Sequence, residues 1–209
     1  MAKVHVVKRG EHAPRIAWKN GFGDYAVLWG DPNNADLAKA RNPCILAEGD
    51  QIYLPDRTPK SVSKSVEALH KFKVKRPKIK LKLTLLDVSG NPIANRDCTL
   101  KVGDDTFPLT TTGDGEIEHD VPIDTEACTL SCGDDDISLR VGWLSPVETP
   151  AGCRERLDNL GYDPGKADDD PDGSILRSAI EEFQCDNGLD VTGECDDATQ
   201  SKLVEVHGA

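Results

Sequence analysis

The sequence predicts a multidomain α+β chain: a small β-α-α-β module, an antiparallel β-sandwich and a three-helix C-terminal module. Three observations lead there. Aromatic residues are only 5% of 209, too few for one large aromatic core, so small modules are expected. The hydrophobic period also changes along the chain: it is two across residues 78–145 and helical across 146–209. Charge changes with it. Net charge is +1 over residues 1–57, +7 over 58–87, -9 over 88–145 and -11 over 146–209, within a total of -12.

The first module covers 1–57. "KVHVVKRGEH" alternates as a short strand. "APRIAWKNGF" follows as a helix with Pro14 near its start, where a missing N–H costs little, and with Ile16, Ala17 and Asn20 on one side. "NNADLAKARN" predicts a second helix capped by Asn33 or Asn34. "GDQIYLP" returns as a strand closed by Pro55.

Residues 58–77 read as a basic linker or strand. Phe72 and Val74 alternate with lysines until Pro77 interrupts. Ile79, Leu81, Leu83 and Leu85 then resume with Lys78, Lys80 and Lys82 facing water. Across 78–145, short strands are separated by Ser89-Gly90-Asn91-Pro92, Gly103-Asp104-Asp105 and Gly113-Asp114-Gly115. Such turns tolerate positive φ and predict an antiparallel sandwich.

In 146–209, Thr149 caps a helix with Pro150 at its first position. Cys153, Leu157 and Leu160 form its apolar stripe, and Gly161 stops it. Leu176, Ala179, Ile180 and Phe183 give the next stripe, ended by Gly188. Asp196 or Asp197 caps a third helix that buries Leu203.

A search for chemistry returns little. Asp168, Asp170, Asp172 and Gly173 begin like an EF-hand loop, but the twelfth position is Ala179, which cannot ligate. An acidic loop ahead of a helix N-terminus fits better. The five histidines form no compact ligand set, and there is no nucleophile elbow. Glu116, Glu118 and Asp120 share a strand face and read as solvated. No catalytic residue, metal or cofactor is expected. The acidic half argues against nucleic acid, and no apolar run suffices for a membrane span. The first residues lack the apolar core of a secretory signal, so synthesis in the cytoplasm is the expectation. Seven cysteines do not make a closed disulfide framework. Most are expected to be small buried hydrophobes. Cys128 and Cys132, on one strand, are too far apart to bridge, whereas Cys185 and Cys195 flank one turn and are the candidate pair.

Three resemblances add to this. Val6-Val7-Lys8-Arg9-Gly10-Glu11, Ile16-Ala17, Asn33-Asn34 and the string "GDQIYLP" from Gly49 to Pro55 resemble a LysM domain. That implies either N-acetylglucosamine binding or assembly, with Trp18, Tyr25 and Trp29 as candidate contacts for either role, or simply as core. Asp87, Gly90, Pro92, Thr112, Gly115, Ile117, Val121 and Pro122 resemble a transthyretin-like or carboxypeptidase-regulatory-like sandwich, which implies a spacer or docking platform. "RERLDNLGY", "DG" and "LRSAIEEFQCDNGLDVTGECDDATQSKL" resemble the three-helix peptidoglycan-binding domain, usually a non-catalytic anchor. Candidate wall contacts are Tyr162, Arg177, Gln184 and Asn187.

The combination resembles accessory proteins of contractile injection machines, of which type VI secretion is the best-known case. It implies peptidoglycan and a machine spike or effector protein as partners, with delivery to the periplasm. The alternatives are a cytoplasmic effector-loading chaperone that binds protein rather than glycan, and a targeting subunit for a separately encoded wall hydrolase or lipase.

Overall fold

The computed structural model describes residues 3–57, 61, 63–71 and 76–209. The alternation expected at Phe72 and Val74 lies outside the described residues. The chain divides into two compact units, one from the described parts of Met1–Cys44 and Gly49–Trp143, the other from Ile45–Glu48 and Leu144–Ala209.

The first unit opens with β1 (Lys3–Val6), which pairs antiparallel with β2 (Gln51–Leu54). Between them run α1 (Ala13–Lys19), α2 (Ala26–Trp29), a 3-10 turn (Pro32–Asn34) and α3 (Ala35–Ala40). The expected second helix is therefore a 3-10 turn leading into a short α-helix. A further turn of helix, α2, precedes it where no helix was expected. Apolar residues Ile16, Ala17, Phe22, Leu28 and Ile52 are buried.

Asn33 or Asn34 was expected as a helix cap, and Asn34 does stand at the N-cap position of α3. Its side chain makes no cap hydrogen bond. It donates to the carbonyls of Leu28 at 2.8 Å and Tyr53 at 2.9 Å, and accepts the Tyr53 N–H at 2.7 Å. One buried amide thus pairs both backbone groups of Tyr53, as a neighbouring strand would. The capping falls to Asp31, whose carboxylate accepts the Asn33 N–H at 2.9 Å.

Two sheets form the sandwich. β3 (Lys78–Thr84) pairs with β6 (Glu116–Pro122). β4 (Asp97–Val102), β5 (Asp105–Thr110), β7 (Ala127–Cys132) and β8 (Asp135–Arg140) form a second sheet in the order β5-β4-β7-β8. Every pairing is antiparallel. Leu100, Val102, Ile117, Val121 and Leu130 share one core, with Ile79, Leu81, Leu83 and Leu85 packed against it. Each fully buried leucine contributes about 2–3 kcal/mol.

The lysines of β3 and the carboxylates of β6 are one feature. Lys80 meets Glu118 at 2.8 Å and Lys82 meets Glu116 at 3.2 Å, across the exposed face. In the turn after β3, Asp87 accepts the N–H groups of Ser89 at 2.8 Å and Asn91 at 2.9 Å, which holds its carboxyl below the ordinary range. Gly115 has φ of 75°, and a Cβ there would fall 2.6 Å from the Leu85 carbonyl, so no larger residue fits.

The cysteines depart most from expectation. Cys98 and Cys132 form a disulfide between β4 and β7. Thr99 pairs with Ser131 and Leu100 with Leu130, so the bonded residues continue the same antiparallel register. This partnership could not be read from chain spacing because it depends on strand pairing. Cys185 and Cys195 are both free, and Cys44 and Cys185 are exposed rather than buried.

Helix α1 is tied to the sandwich by buried polar groups. Arg15 donates to the Gly10 carbonyl at 2.8 Å and to the Thr125 carbonyl. His12 caps α1, its Nδ1 accepting the Arg15 N–H at 3.3 Å. The His12 ring is 2% exposed, and its Nε2 has no hydrogen-bond partner among the described residues. Burial first, and then the Arg15 charge, lower its pKa to about 4.

A pH dependence follows. The folded ring binds its proton more weakly than the unfolded ring, so the unfolded chain protonates first as pH falls. Stability should drop by about 3 kcal/mol between about pH 6.5 and 4 and then level off. The His12→Asn variant keeps a cap acceptor but does not titrate. The difference between wild type and variant in denaturant midpoints at pH 7.5 and pH 4 should recover this component, and parallel curves would contradict it.

Candidate functional site in the C-terminal unit

This unit holds three helices: α4 (Pro150–Asn159), α5 (Ser174–Asp186) and α6 (Asp197–His207). Each starts on a local signal. The Thr149 hydroxyl accepts the Gly152 N–H at 3.0 Å, with Pro150 following. Asp196 accepts both the N–H and the hydroxyl of Thr199 at 2.8 Å. Helix α5 differs, because its N-cap is Gly173, which has no side chain to offer. Asp170 supplies the acceptor instead, taking the N–H groups of Ile175 at 2.9 Å and Leu176 at 3.0 Å. Arg154 on α4 donates to the same carboxylate at 2.8 Å. The Arg154 bond is the largest reason that its pKa is lowered, and the helix amides add to it. The acidic loop thus has a structural task, placing negative charge at a helix N-terminus.

The core contains Cys153, Leu157, Ala179, Ile180, Phe183 and Leu203, all buried, with Leu160, Tyr162, Leu176, Leu189 and Cys195 against them. The loop from Gly188 to Asp196 has no strand partner, and Gln184 organises it. The Gln184 Oδ-equivalent acceptor, Oε1, takes the N–H groups of Thr192 at 2.9 Å and Gly193 at 3.0 Å. Its Nε2 lies within reach of the Thr192 hydroxyl at 3.0 Å, the Glu194 carbonyl at 3.1 Å and the Thr199 hydroxyl at 2.8 Å. The side chain is 0% exposed. As a candidate wall contact, Gln184 is therefore corrected: its amide is fully used inside the domain and is sealed from any ligand.

The other three candidates lie at the surface but do not converge. Tyr162 sits edge-on against Phe183 at 5.4 Å and donates its hydroxyl to Asp186 at 3.2 Å. Burial, followed by the Asp186 charge, raises the pKa of its phenol. Asn187 is beside them and caps α5 by donating to the Phe183 carbonyl at 2.8 Å. Arg177 is nine residues before Asp186, which is roughly 180° around the helix. It lies over the loop, pairing with Glu181 at 3.0 Å and reaching the Thr192 carbonyl at 3.3 Å. Gly193, with φ of 69°, permits this approach, since a Cβ would fall 2.7 Å from Arg177 Cγ. Arg177 and Tyr162 thus face different sides of α5 and cannot hold one small ligand together. Asp186 was missed from sequence because it lies on neither apolar stripe; only the fold sets it beside Tyr162.

In the first unit, Trp18 and Tyr25 line one cavity of about 200 Å³ together with Pro14, Phe22, Lys78 and Ile123. Trp29, on α2, is not among its walls. Among the described residues no group of histidine, cysteine or acidic side chains is placed to hold a metal ion, and no helix is long and apolar enough to cross a membrane.

Residues 153–203 match the family model described as "Putative peptidoglycan binding domain". The match covers about a quarter of the chain, from Cys153 on α4 to Leu203 on α6. Among curated proteins and solved structures, none gives a significant match. The C-terminal unit thus carries a peptidoglycan-binding domain, which supports a cell-wall-binding role.

Replacing Gln184 with leucine keeps the volume but strands the buried Gly193 N–H and leaves the Thr192 N–H only its 3.1 Å bond to the Asp190 carbonyl. At about 1–3 kcal/mol for an unpaired buried donor, Gln184→Leu should destabilise the unit by about 2 kcal/mol. Hydrogen exchange should show lost protection at those two amides before any change in β4 or β7. Unchanged protection would remove Gln184 from this role.

Proposed function

We propose that the protein is a non-catalytic peptidoglycan-binding adaptor or cargo protein of a contractile injection machine of the type VI kind. On this reading the C-terminal unit grips the wall. The first unit docks the machine's spike or an effector, with Trp18 and Tyr25 at the candidate contact, and the machine delivers the protein to the periplasm. The observation that carries the wall-binding part is the family match across α4, α5 and α6. The machine context rests on the resemblance of the assembled modules.

The chemistry-bearing residues of the C-terminal unit fit a grip rather than a reaction. Asp170 is held by Arg154 and two amides, and Gln184 is consumed by its loop. We assign the wall contact to the side of α5 bearing Tyr162, Asp186 and Asn187. It offers a ring edge, a carboxylate and an amide, which suit a free amine on the stem peptide better than its carboxylates. The net charge of -11 over residues 146–209 acts in the same direction. Arg177 on this reading holds the loop.

Co-sedimentation of the full chain with purified sacculi tests this. Wild type should pellet, and less so as salt rises. Asp186→Asn should weaken binding by up to about fivefold, the scale of a partly exposed ion pair. No pelleting at any salt would favour the effector-loading chaperone. Pelleting that is indifferent to Asp186 would move the contact elsewhere on the unit. Co-purification of a wall hydrolase or lipase would favour the targeting-subunit alternative.

A further inference from the structure

Two thiols of the C-terminal unit meet although they are 42 positions apart in sequence. Cys153 lies on α4 and is 0% exposed. Cys195 ends the loop before α6, packs against the same core and is half-buried. Cys195 thus packs against the cluster that Cys153 helps to form, and each thiol is the main influence on the other's ionisation. Both are free thiols.

We propose that Cys153 and Cys195 are a latent disulfide that closes in an oxidising compartment and staples α4 to the loop ahead of α6. The inference holds whether or not the unit's ligand is peptidoglycan. Its chemistry needs an oxidant of the disulfide class, such as glutathione disulfide or a dithiol-disulfide oxidoreductase. Cys195 is the accessible member, and the neighbouring Cys153 thiol lowers its pKa and so favours its thiolate. That thiolate attacks one oxidant sulfur and expels the other as a thiolate. The Cys153 thiol then loses its proton and attacks Cys195 Sγ, displacing the second oxidant thiolate. Two thiols and one disulfide become one protein disulfide and two reduced thiols. The Cys195 thiol first, and then burial, raise the pKa of Cys153, which suits a thiol that acts second.

The alternative partner, Cys185, is poorly placed. It follows Phe183 by two residues, roughly 200° around α5. Phe183 points into the core, so Cys185 points away from it and is exposed. The Cys98–Cys132 bond already shows one cross-link in the chain, and such bonds persist where the surroundings are oxidising.

The test uses the full chain, reduced and then exposed to glutathione disulfide. Cleavage after glutamate separates the thiols, because Cys153 falls in 149–155, Cys185 in 183–194 and Cys195 in 195–205. Mass mapping should find 149–155 linked to 195–205, and Cys185→Ser should leave that link intact. The oxidised unit should melt roughly 5–15 °C above the reduced one. That increment should vanish in Cys195→Ser, measured against the same oxidation so that the sandwich disulfide cancels. Free thiols at 153 and 195 after oxidation, or Cys195 linked instead to Cys185 or glutathione, would overturn the proposal.

Discussion

The buried amide of Gln184 is the interaction on which the C-terminal unit depends. The loop between α5 and α6 has no strand beside it, yet its backbone groups must be satisfied when removed from water. A primary amide can do this because it offers both an acceptor and two donors in one plane. Here the acceptor serves Thr192 and Gly193 while the donors serve the loop and the first turn of α6. The start of α6 is set twice, by Gln184 on the Thr199 hydroxyl and by Asp196 on its amide. Arg177 can lie flat on the loop only because that loop is held in place.

The first unit uses the same device with different residues. Asn34 completes the hydrogen bonding of Tyr53 from the helical side, and Arg15 reaches two carbonyls that no helix or strand would otherwise pair. Polar side chains deep in a small module are costly unless every lone pair and proton finds a partner. Modules of this size have few apolar residues with which to define a single packing. Directional bonds add the definition that bulk burial lacks.

This arrangement changes how the wall-binding signature is read. Phe183 and Gln184, both within the matched residues 153–203, are interior: the ring fills the core and the amide holds the loop. The signature therefore reports a fold. The flank formed by Tyr162, Asp186 and Asn187 is the proposed contact, at the surface of that frame. The exposed pairs on the sandwich, Lys80 with Glu118 and Lys82 with Glu116, set the lysines of β3 against the acidic strand opposite. A run of one charge sign in sequence is thus a mixed surface in space.

The sequence by itself determined the elements whose causes are local. Thr149 with Pro150, and Asp196, start their helices through bonds spanning three residues. The alternation from Ile79 to Leu85 fixes which face of β3 is apolar, because side chains along a strand take opposite faces. The turn at Asp87 is built from its own neighbours. Only the tertiary structure decided where the cysteines lie, since strand register joins Cys98 to Cys132 and the loop before α6 packs Cys195 against the core that holds Cys153. It also decided that Gln184 is interior, that the Asn34 side chain bonds Leu28 and Tyr53 instead of capping its own helix, and that Tyr162 and Arg177 face apart. Each depends on partners distant along the chain, and periodicity within one segment carries no information about what packs against it.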